Sequence, residues 1–161
     1  MSSSRAIRIG VVADTHGLFD QALVRLFCGV DHIVHAGDIG ERSVIEHLEA
    51  MAPVTAVSGN ADEYEESGFP REAIIEVKGL RIAVRHVVFE AGKLTNQGRD
   101  FLDRTRPDIC IFGHTHQPKS EWLGETFLFN PGSAGPKRFE LPRMAGTMTI
   151  GARLSTKHVR L

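Results

Sequence analysis

Ile109-Cys110-Ile111-Phe112-Gly113-His114-Thr115-His116 joins a short apolar run to two closely spaced histidines. Such a run before a glycine is typical of a buried β-strand, and the histidines follow its end. The same arrangement recurs four times: Asp14-Thr15-His16 follows 7–13, Asp38 follows 33–36, Asn60 follows 54–57, and His86 follows 82–84. Residues at the carboxyl ends of strands in an α/β sheet meet in one crevice. We therefore expect these seven side chains to form one site.

The seven side chains are carboxylates, imidazoles and one amide, which suit divalent ions of borderline or harder character. Thiolates are absent from the set, which argues against a zinc finger or an iron–sulfur cluster. Manganese is favoured, while nickel, zinc, iron, cobalt and magnesium stay open as alternatives. A carboxylate such as Asp38 can bind two ions at once and hold them roughly 3.5–4 Å apart, as in two-metal phosphatases and nucleases. A water molecule between two such ions ionises near neutral pH.

Composition and charge restrict the other possibilities. The chain has 161 residues, of which 42% are hydrophobic, and this suits one compact domain over 1–161 with a flexible terminus over 1–5. Lys and Arg total 19 against 20 Asp and Glu, so the net charge of −1 gives no electrostatic signature for nucleic acid or an anionic membrane. No apolar stretch approaches the roughly 20 residues needed to cross a bilayer, and no signal-peptide pattern is present. These features predict a cytoplasmic protein.

Strands and helices alternate in the first half of the chain and give way to hairpins in the second. The predicted elements are strand 6–13, helix 18–28, strand 31–36, helix 42–50, strand 54–58, hairpin 72–77 with 80–84, helix 93–105, strand 109–112, hairpin 119–123 with 126–129, and strands 144–150 and 156–161. The acidic stretch 62–66 is predicted to be an exposed loop. A parallel first half and an antiparallel second half favour two sheets packed face to face, with helices outside. Cys28 and Cys110 both lie beside large apolar residues, which predicts two buried thiols and no disulfide.

The order of the motifs resembles the calcineurin-like metallophosphoesterase superfamily, and in particular its small bacterial and archaeal phosphodiesterases, the branch that includes the retromer subunit Vps29. The matching segments are Asp14-Thr15-His16, Gly37-Asp38, Gly59-Asn60-Ala61-Asp62, His86, Gly113-His114-Thr115-His116 and Asn130-Pro131-Gly132-Ser133. The resemblance implies an α/β fold, a four-layer αββα sandwich of two mixed β-sheets flanked by helices. It also implies a ligand set for two ions: Asp14, His16 and His116 for one, Asn60, His86 and His114 for the other, and Asp38 as the bridge.

Two positions depart from the pattern of the superfamily. Many members have a histidine directly after the motif asparagine, and it protonates the leaving group, whereas this chain has Ala61. Relatives often continue the motif histidine with Gly-His, whereas Val87 follows His86 here, which could alter the angle of His86 and weaken the second ion. The segments between motifs are short and largely occupied by predicted strands. We therefore expect an open site that positions phosphate through the metals rather than through an enclosing pocket.

The resemblance implies a dinuclear metal-dependent phosphodiesterase that cleaves a small phosphodiester substrate through a metal-bridging hydroxide. Asp38, Asn60 and His114 are assigned to catalysis as well as to metal binding, and diesters are favoured over monoesters because Ala61 provides no general acid. The alternative is a Vps29-like protein-interaction module that retains a non-catalytic metal site. A nuclease acting on polymers is disfavoured by the neutral charge and short length. Whether the chain forms a homo-oligomer stays open.

Several other polar residues allow a structural and a functional interpretation. The segment Asn130-Pro131-Gly132-Ser133 favours a turn over a substrate contact. Asp62 could orient a ligand or lie in an exposed loop, and Lys137 and Arg138 could contact phosphate or be solvated. His35 could support the metal site from behind, although packing is the favoured role. The remaining histidines are predicted to be structural or surface residues: His32, His47 and His158.

Overall fold

The computed structural model describes residues 4–62, 68–138 and 140–161. In chain order its elements are β1 (Ile7–Val12), α1 (Ala22–Leu26), β2 (His32–His35), α2 (Arg42–Glu49), β3 (Val54–Ala56), β4 (Glu72–Val77), β5 (Leu80–Arg85), β6 (Phe89–Glu90), β7 (Lys93–Leu94), α3 (Asn96–Thr105), β8 (Ile109–Ile111), β9 (Lys119–Leu123), β10 (Thr126–Asn130), β11 (Met144–Ile150) and β12 (Leu154–Arg160). The predictions for residues 1–3 and 63–66 fall outside the described residues. No helix within the described ranges is long and apolar enough to cross a membrane.

Two five-stranded mixed sheets form the centre of the fold. The first has the order β12-β11-β1-β2-β3, with β1, β2 and β3 parallel and the two C-terminal strands antiparallel to their neighbours. The second has the order β4-β5-β8-β10-β9, with β5, β8 and β10 parallel and a hairpin strand at each edge. The predicted division into βαβ units and hairpins is therefore confirmed.

The alternation of side chains along the strands builds three apolar layers. Ile9 and Val11 of β1 point into a core shared with Ile109 and Ile111 of β8, so the two sheets pack face to face. The opposite face of the first sheet packs on α1 and α2, and that of the second sheet packs on α3. This gives the predicted four-layer αββα sandwich.

Two helices begin later than the sequence predicts. Residues 18–21 precede α1, and 93–94 form β7, which pairs with β6 before α3 begins. Thr95 is the N-cap of α3, because its Oγ1 accepts a hydrogen bond from the N–H of Gly98 at 2.9 Å.

The prediction for the cysteines is half wrong. Cys110 is buried, and burial raises its pKa to about 12, but Cys28 is exposed beyond the end of α1.

Candidate metal centre

The seven candidate ligands all follow strands whose carboxyl ends lie at one edge of the sandwich. They follow β1, β2 and β3, the parallel strands of the first sheet, and β5 and β8, two of the three parallel strands of the second sheet. Hydrogen bonds between the connecting loops hold them together: Asp14 N–H donates to Gly37 O at 2.9 Å, and Gly113 N–H donates to His86 O at 3.0 Å. The crevice predicted from strand ends is present.

The backbone is left-handed at five of the seven candidate ligands. The φ angles are 55° at Asp14, 45° at His16, 55° at Asp38, 73° at His114 and 60° at His116. Each such non-glycine conformation costs roughly 1–3 kcal/mol and persists only where the surroundings impose it, which is typical of functional sites. Adjacent glycines make room for these loops. A Cβ on Gly37 would lie 2.6 Å from His86 Nδ1, and one on Gly59 would lie 2.0 Å from Asp38 Oδ1.

Asp14 lies between two groups of potential ligand atoms. Its Oδ1 is 3.4 Å from His116 Nε2, and these residues group with His16. The same Oδ1 is 3.6 Å from His86 Nε2, and Asp14 also groups with Asp38 and His86. Its other oxygen, Oδ2, accepts the His114 backbone N–H at 3.2 Å. Asp14 therefore presents one oxygen to both groups, a sharing that the motif assignment gave to Asp38 alone.

Asp38 presents its carboxylate in the same way. Oδ1 accepts the Ala61 backbone N–H at 2.8 Å. Oδ2 lies 3.2 Å from His86 Nε2 and 3.6 Å from His16 Nε2. The backbone thus fixes one oxygen, and the other faces a histidine from each group, as a bridging ligand requires.

His86 is oriented with its Nε2 toward both carboxylates. Its Nδ1 donates to Ala36 O at 2.7 Å, which places the ring proton on Nδ1 and leaves the Nε2 lone pair free. A second nitrogen–oxygen pair extends the site: His114 Nδ1 lies 3.1 Å from Asn60 Oδ1. The His86 and His114 rings are 5.5 Å apart between centroids, so His114 lies beside this cluster, although it belongs to neither of the two groups of closely spaced ligand atoms.

Three buried polar atoms at the centre of this cluster have no hydrogen-bond partner among the described residues: Asp14 Oδ1, His16 Nε2 and His86 Nε2. Leaving such an atom unsatisfied costs roughly 1–3 kcal/mol, so a group of them needs an explanation. All three are good ligand atoms for a divalent cation, and two are imidazole nitrogens that face carboxylate oxygens. The residues present therefore fit divalent metal binding.

Burial and neighbouring charges shift the pKa values of three side chains in this cluster. Burial tends to raise the pKa of Asp38, but the nearby His86 and the Ala61 N–H outweigh it and hold the pKa at about 2. Burial tends to lower the pKa of His86, but Asp38 and Asp14 outweigh it and raise the pKa. The pKa of His16 is lowered, mainly by burial. The low pKa of Asp38 keeps its carboxylate anionic, which favours a cation at the centre.

A model of the calcineurin-like phosphoesterase superfamily domain matches residues 7–153 of this sequence. The chain belongs to the calcineurin-like phosphoesterase superfamily. A probable metallophosphoesterase of Methanothermobacter thermautotrophicus is 33% identical over 158 residues, which cover 94% of this chain and 91% of that protein. The phosphodiesterase YfcE of Escherichia coli is 28% identical in an alignment that covers 79% of each chain. Vacuolar protein sorting 29 (Vps29) of Cryptosporidium parvum has a TM-score of 0.78 over 97% of this chain and 99% of its own, at 16% identity, which shows a shared fold.

The two departures from the superfamily pattern have different structural consequences. Ala61 is exposed, and its methyl side chain has no proton to donate. Its contribution to the site is the backbone N–H, which donates to Asp38 Oδ1. The φ angle of Val87 is not positive, so this position does not need glycine. The ring of His86 is fixed by the hydrogen bond from its Nδ1 to Ala36 O. Whether the second ion binds more weakly than the first stays a prediction.

Two residues of the superfamily motifs stabilise loops of the site. Asp62 accepts three backbone N–H groups at 2.9–3.1 Å, from Ile39, Gly40 and Gly59. Asn130 is buried and donates to Gly113 O and Thr115 Oγ1 at 3.2 and 3.1 Å. For both residues the contacts favour the loop-forming role.

The remaining candidates also receive positions. Lys137 and Arg138 are exposed, and the positive charge of Arg138 contributes to lowering the pKa of His16. The three histidines predicted to be structural or surface residues make local contacts: His32 with Thr55 Oγ1, His47 with the Phe19 ring, and His158 with Asn130 O and the Phe129 ring.

His35 supports the loop after β1 from beneath. Thr15 Oγ1 donates to Ile39 O at 2.8 Å, so it accepts from His35 Nε2 at 3.0 Å. His35 Nδ1 accepts the Gly37 N–H at 3.1 Å. Both ring nitrogens are therefore satisfied only in the neutral imidazole, and burial lowers the pKa to about 4.

We expect His35 to make folding sensitive to acid. Below pH 6.5 the unfolded chain binds a proton at this imidazole that the folded chain binds only near pH 4, so the free energy of unfolding falls as the pH falls. At pH 5 the loss comes to about 2 kcal/mol. Urea denaturation at pH 7 and pH 5 should show this loss in the wild type and a smaller one in His35→Asn. Equal pH dependence in both proteins would contradict this prediction.

Sequence reasoning missed Glu90 and the cavity beside it. Glu90 Oε1 lies 3.1 Å from His114 Nε2, so it orients the imidazole that faces Asn60. A cavity of about 350 Å³, which we call the His114 cavity, is lined by Phe89, Glu90, Phe112, His114, Gln117 and Lys119, among others. This cavity adjoins the site at His114 and does not include the other six candidate ligands, so the expectation of a site that no pocket encloses stays a prediction. The turn residues Ala91-Gly92 were the available sequence signal, because they predict the β6–β7 hairpin that forms one wall.

Proposed function

We propose that this chain is a dinuclear metal-dependent phosphodiesterase. The proposal rests on three buried atoms that have no hydrogen-bond partner among the described residues: Asp14 Oδ1, His16 Nε2 and His86 Nε2. Both imidazole nitrogens face Asp38 Oδ2, and Asp14 Oδ1 faces His86 Nε2. Superfamily membership supports phosphoester hydrolysis. Divalent ions, when bound, lower the pKa of water and place positive charge beside a phosphate.

The residues of this chain would hold two ions and orient the substrate. Asp14 and Asp38 each present one oxygen, because backbone N–H groups occupy the other. His16 and His116 complete one group, and Asn60, His86 and His114 complete the other. Asn60 is exposed and His114 is half-buried, so we assign them contact with the phosphate as well as with metal. Two dications against two carboxylates leave a net positive charge that favours an anionic substrate.

A diester substrate is supported by the side chain at position 61. Ala61 offers no general acid, so cleavage relies on a leaving group that departs without protonation. The similarity to YfcE, which is named a phosphodiesterase, points the same way. The mixed oxygen and nitrogen ligand set favours manganese, with nickel, zinc, iron, cobalt and magnesium as alternatives.

Metal removal and reconstitution test this proposal directly. We expect chelator-treated protein to lose hydrolysis of bis-p-nitrophenyl phosphate, and manganese, nickel, zinc or magnesium added separately to identify the metals that restore it. The diester should be cleaved faster than p-nitrophenyl phosphate. Preference for the monoester would replace the phosphodiesterase assignment with a phosphatase.

A second candidate function is a Vps29-like interaction module. The observation that favours it is an apolar edge: Trp122 is 63% exposed and Leu123 is 45% exposed on β9, the outermost strand of the second sheet. Exposed apolar side chains on an edge strand suit pairing with another chain, including a second copy of this one. Lack of turnover with every metal would make this the leading function.

A further inference from the structure

The His114 cavity adjoins the candidate metal centre on one side. Of the seven candidate ligands, only His114 lines it: its Nε2 lies 3.1 Å from Glu90 Oε1 at the cavity, and its Nδ1 lies 3.1 Å from Asn60 Oδ1 in the candidate metal centre. A phosphoryl group at the metal centre would therefore have the cavity beside it.

In an in-line displacement the leaving group departs opposite the attacking oxygen, and the other substituents project sideways. A cavity that flanks the cluster at His114 is placed for a sideways group. We infer that the His114 cavity binds the ester substituent that stays on phosphorus, and that it is selective for an uncharged aromatic or heterocyclic group. This inference rests on the proposed phosphodiesterase function.

The walls of the cavity indicate the chemistry of that group. Phe89 and Phe112 form an aromatic wall, with ring centroids 5.3 Å apart. Aromatic walls favour flat apolar groups through offset or edge-to-face contacts. At about 350 Å³ the cavity lies near the lower end of the roughly 300–1,000 Å³ typical of small-molecule sites, so it suits one ring system.

The charges around the cavity disfavour a second anionic group. Lys119 Nζ lies 4.2 Å above the Phe89 ring and 3.1 Å from Glu121, so its charge already has a partner. The Glu90 carboxylate is 66% exposed at the rim and would repel an anion. Glu90 and Gln117 leave hydrogen-bonding groups for a neutral heterocycle.

Two diesters with the same leaving group test the subsite. We expect kcat/KM for phenyl p-nitrophenyl phosphate to exceed that for methyl p-nitrophenyl phosphate by roughly 10-fold or more, after division by the rate of each with hydroxide, because apolar pockets discriminate by this much for small groups. A 4-carboxyphenyl group in place of phenyl should lose most of this advantage. Equal normalised values for phenyl and methyl, with hydrolysis intact, would overturn the inference and leave the proposed function standing.

A cavity-filling variant separates the subsite from the metal centre. Gln117→Trp adds bulk at the cavity and should reduce the phenyl preference to about one, while hydrolysis of the methyl ester continues. Gln97→Trp is the matched control, because Gln97 is exposed on α3 and does not line the cavity. It should keep the preference. A preference that survives Gln117→Trp would overturn the inference.

Calorimetry provides a second measurement that does not depend on turnover. Phenylphosphonate should bind the metal-reconstituted protein roughly 10-fold more tightly than methylphosphonate, and Gln117→Trp should abolish the difference. If no diester is hydrolysed with any metal, the proposed function fails, and this titration still decides the subsite. Equal affinities for the two phosphonates would overturn it.

Discussion

Asp38→Asn is expected to lower metal-dependent hydrolysis of bis-p-nitrophenyl phosphate by more than roughly 100-fold, since even residues that only orient a metal ligand cost about 10–100-fold when replaced. The substitution keeps the shape of the side chain and the acceptor for Ala61 N–H. It removes the negative charge of the oxygen that faces His16 and His86 at 3.6 and 3.2 Å. The loss should therefore come from metal binding rather than from folding.

Metal content and activity should be measured on the same samples. Asp100→Asn is the matched control, because Asp100 lies on the exposed face of α3 and contacts only Arg104 among the described residues. It should retain wild-type turnover and wild-type bound metal. Full activity in Asp38→Asn would refute the bridging role of Asp38, and equal loss in the control would indicate a general effect of removing charge.

The fold and the convergence of the candidate ligands could be predicted from the sequence, because apolar runs mark the strands and the candidate ligands follow the strand ends. Ile9 and Val11 alternate with Gly10 and Val12, which assigns opposite faces of β1 to the two layers that cover it. Once β1 is a central parallel strand, Asp14 must lie at its carboxyl end, near the residues that follow neighbouring strands. Local pattern and topology therefore place the candidate ligands together.

Contacts between loops were not predictable in this way. Glu90 reaches His114 across 24 positions of the chain, from its place in the β6–β7 hairpin. The helix α3 begins at Asn96 because Thr95 caps it, a local hydrogen bond that overrides the helical pattern of the preceding residues. The sharing of Asp14 Oδ1 between two groups depends on side-chain orientation, which strand order does not fix.

The left-handed residues of the site join the fold to its proposed chemistry. Asp14 and Asp38 follow buried strands, and the chain turns at each of them through a positive φ angle. Both carboxylates then lie in one group of potential ligands with His86. The backbone N–H groups of His114 and Ala61 then fix one oxygen of each. The roughly 1–3 kcal/mol of strain at each position is offset by the packing of two sheets, which allows a rigid site to form on loops.

The rate of diester cleavage should depend steeply on the leaving group, because no side chain at position 61 can protonate it. General acid catalysis typically contributes 10²–10⁴-fold, so we expect kcat to fall by roughly 100-fold or more between p-nitrophenyl and phenyl leaving groups in a series of methyl aryl phosphates. Keeping the methyl group constant keeps the contribution of the His114 cavity constant. Steady-state kinetics with one saturating metal measures this slope.

Ala61→His places an imidazole where many superfamily members have one, and it should flatten the slope. The backbone N–H of residue 61 still binds Asp38, and the exposed position leaves room for the side chain. The gain should be largest for the phenyl ester, up to roughly 100-fold, and small for p-nitrophenolate, which departs without protonation. Ala61→Asn, similar in size but without a titratable proton, should keep the steep slope. A wild-type rate that is independent of leaving-group pKa would show that another group already donates the proton, and would remove Ala61 as the reason for preferring activated diesters.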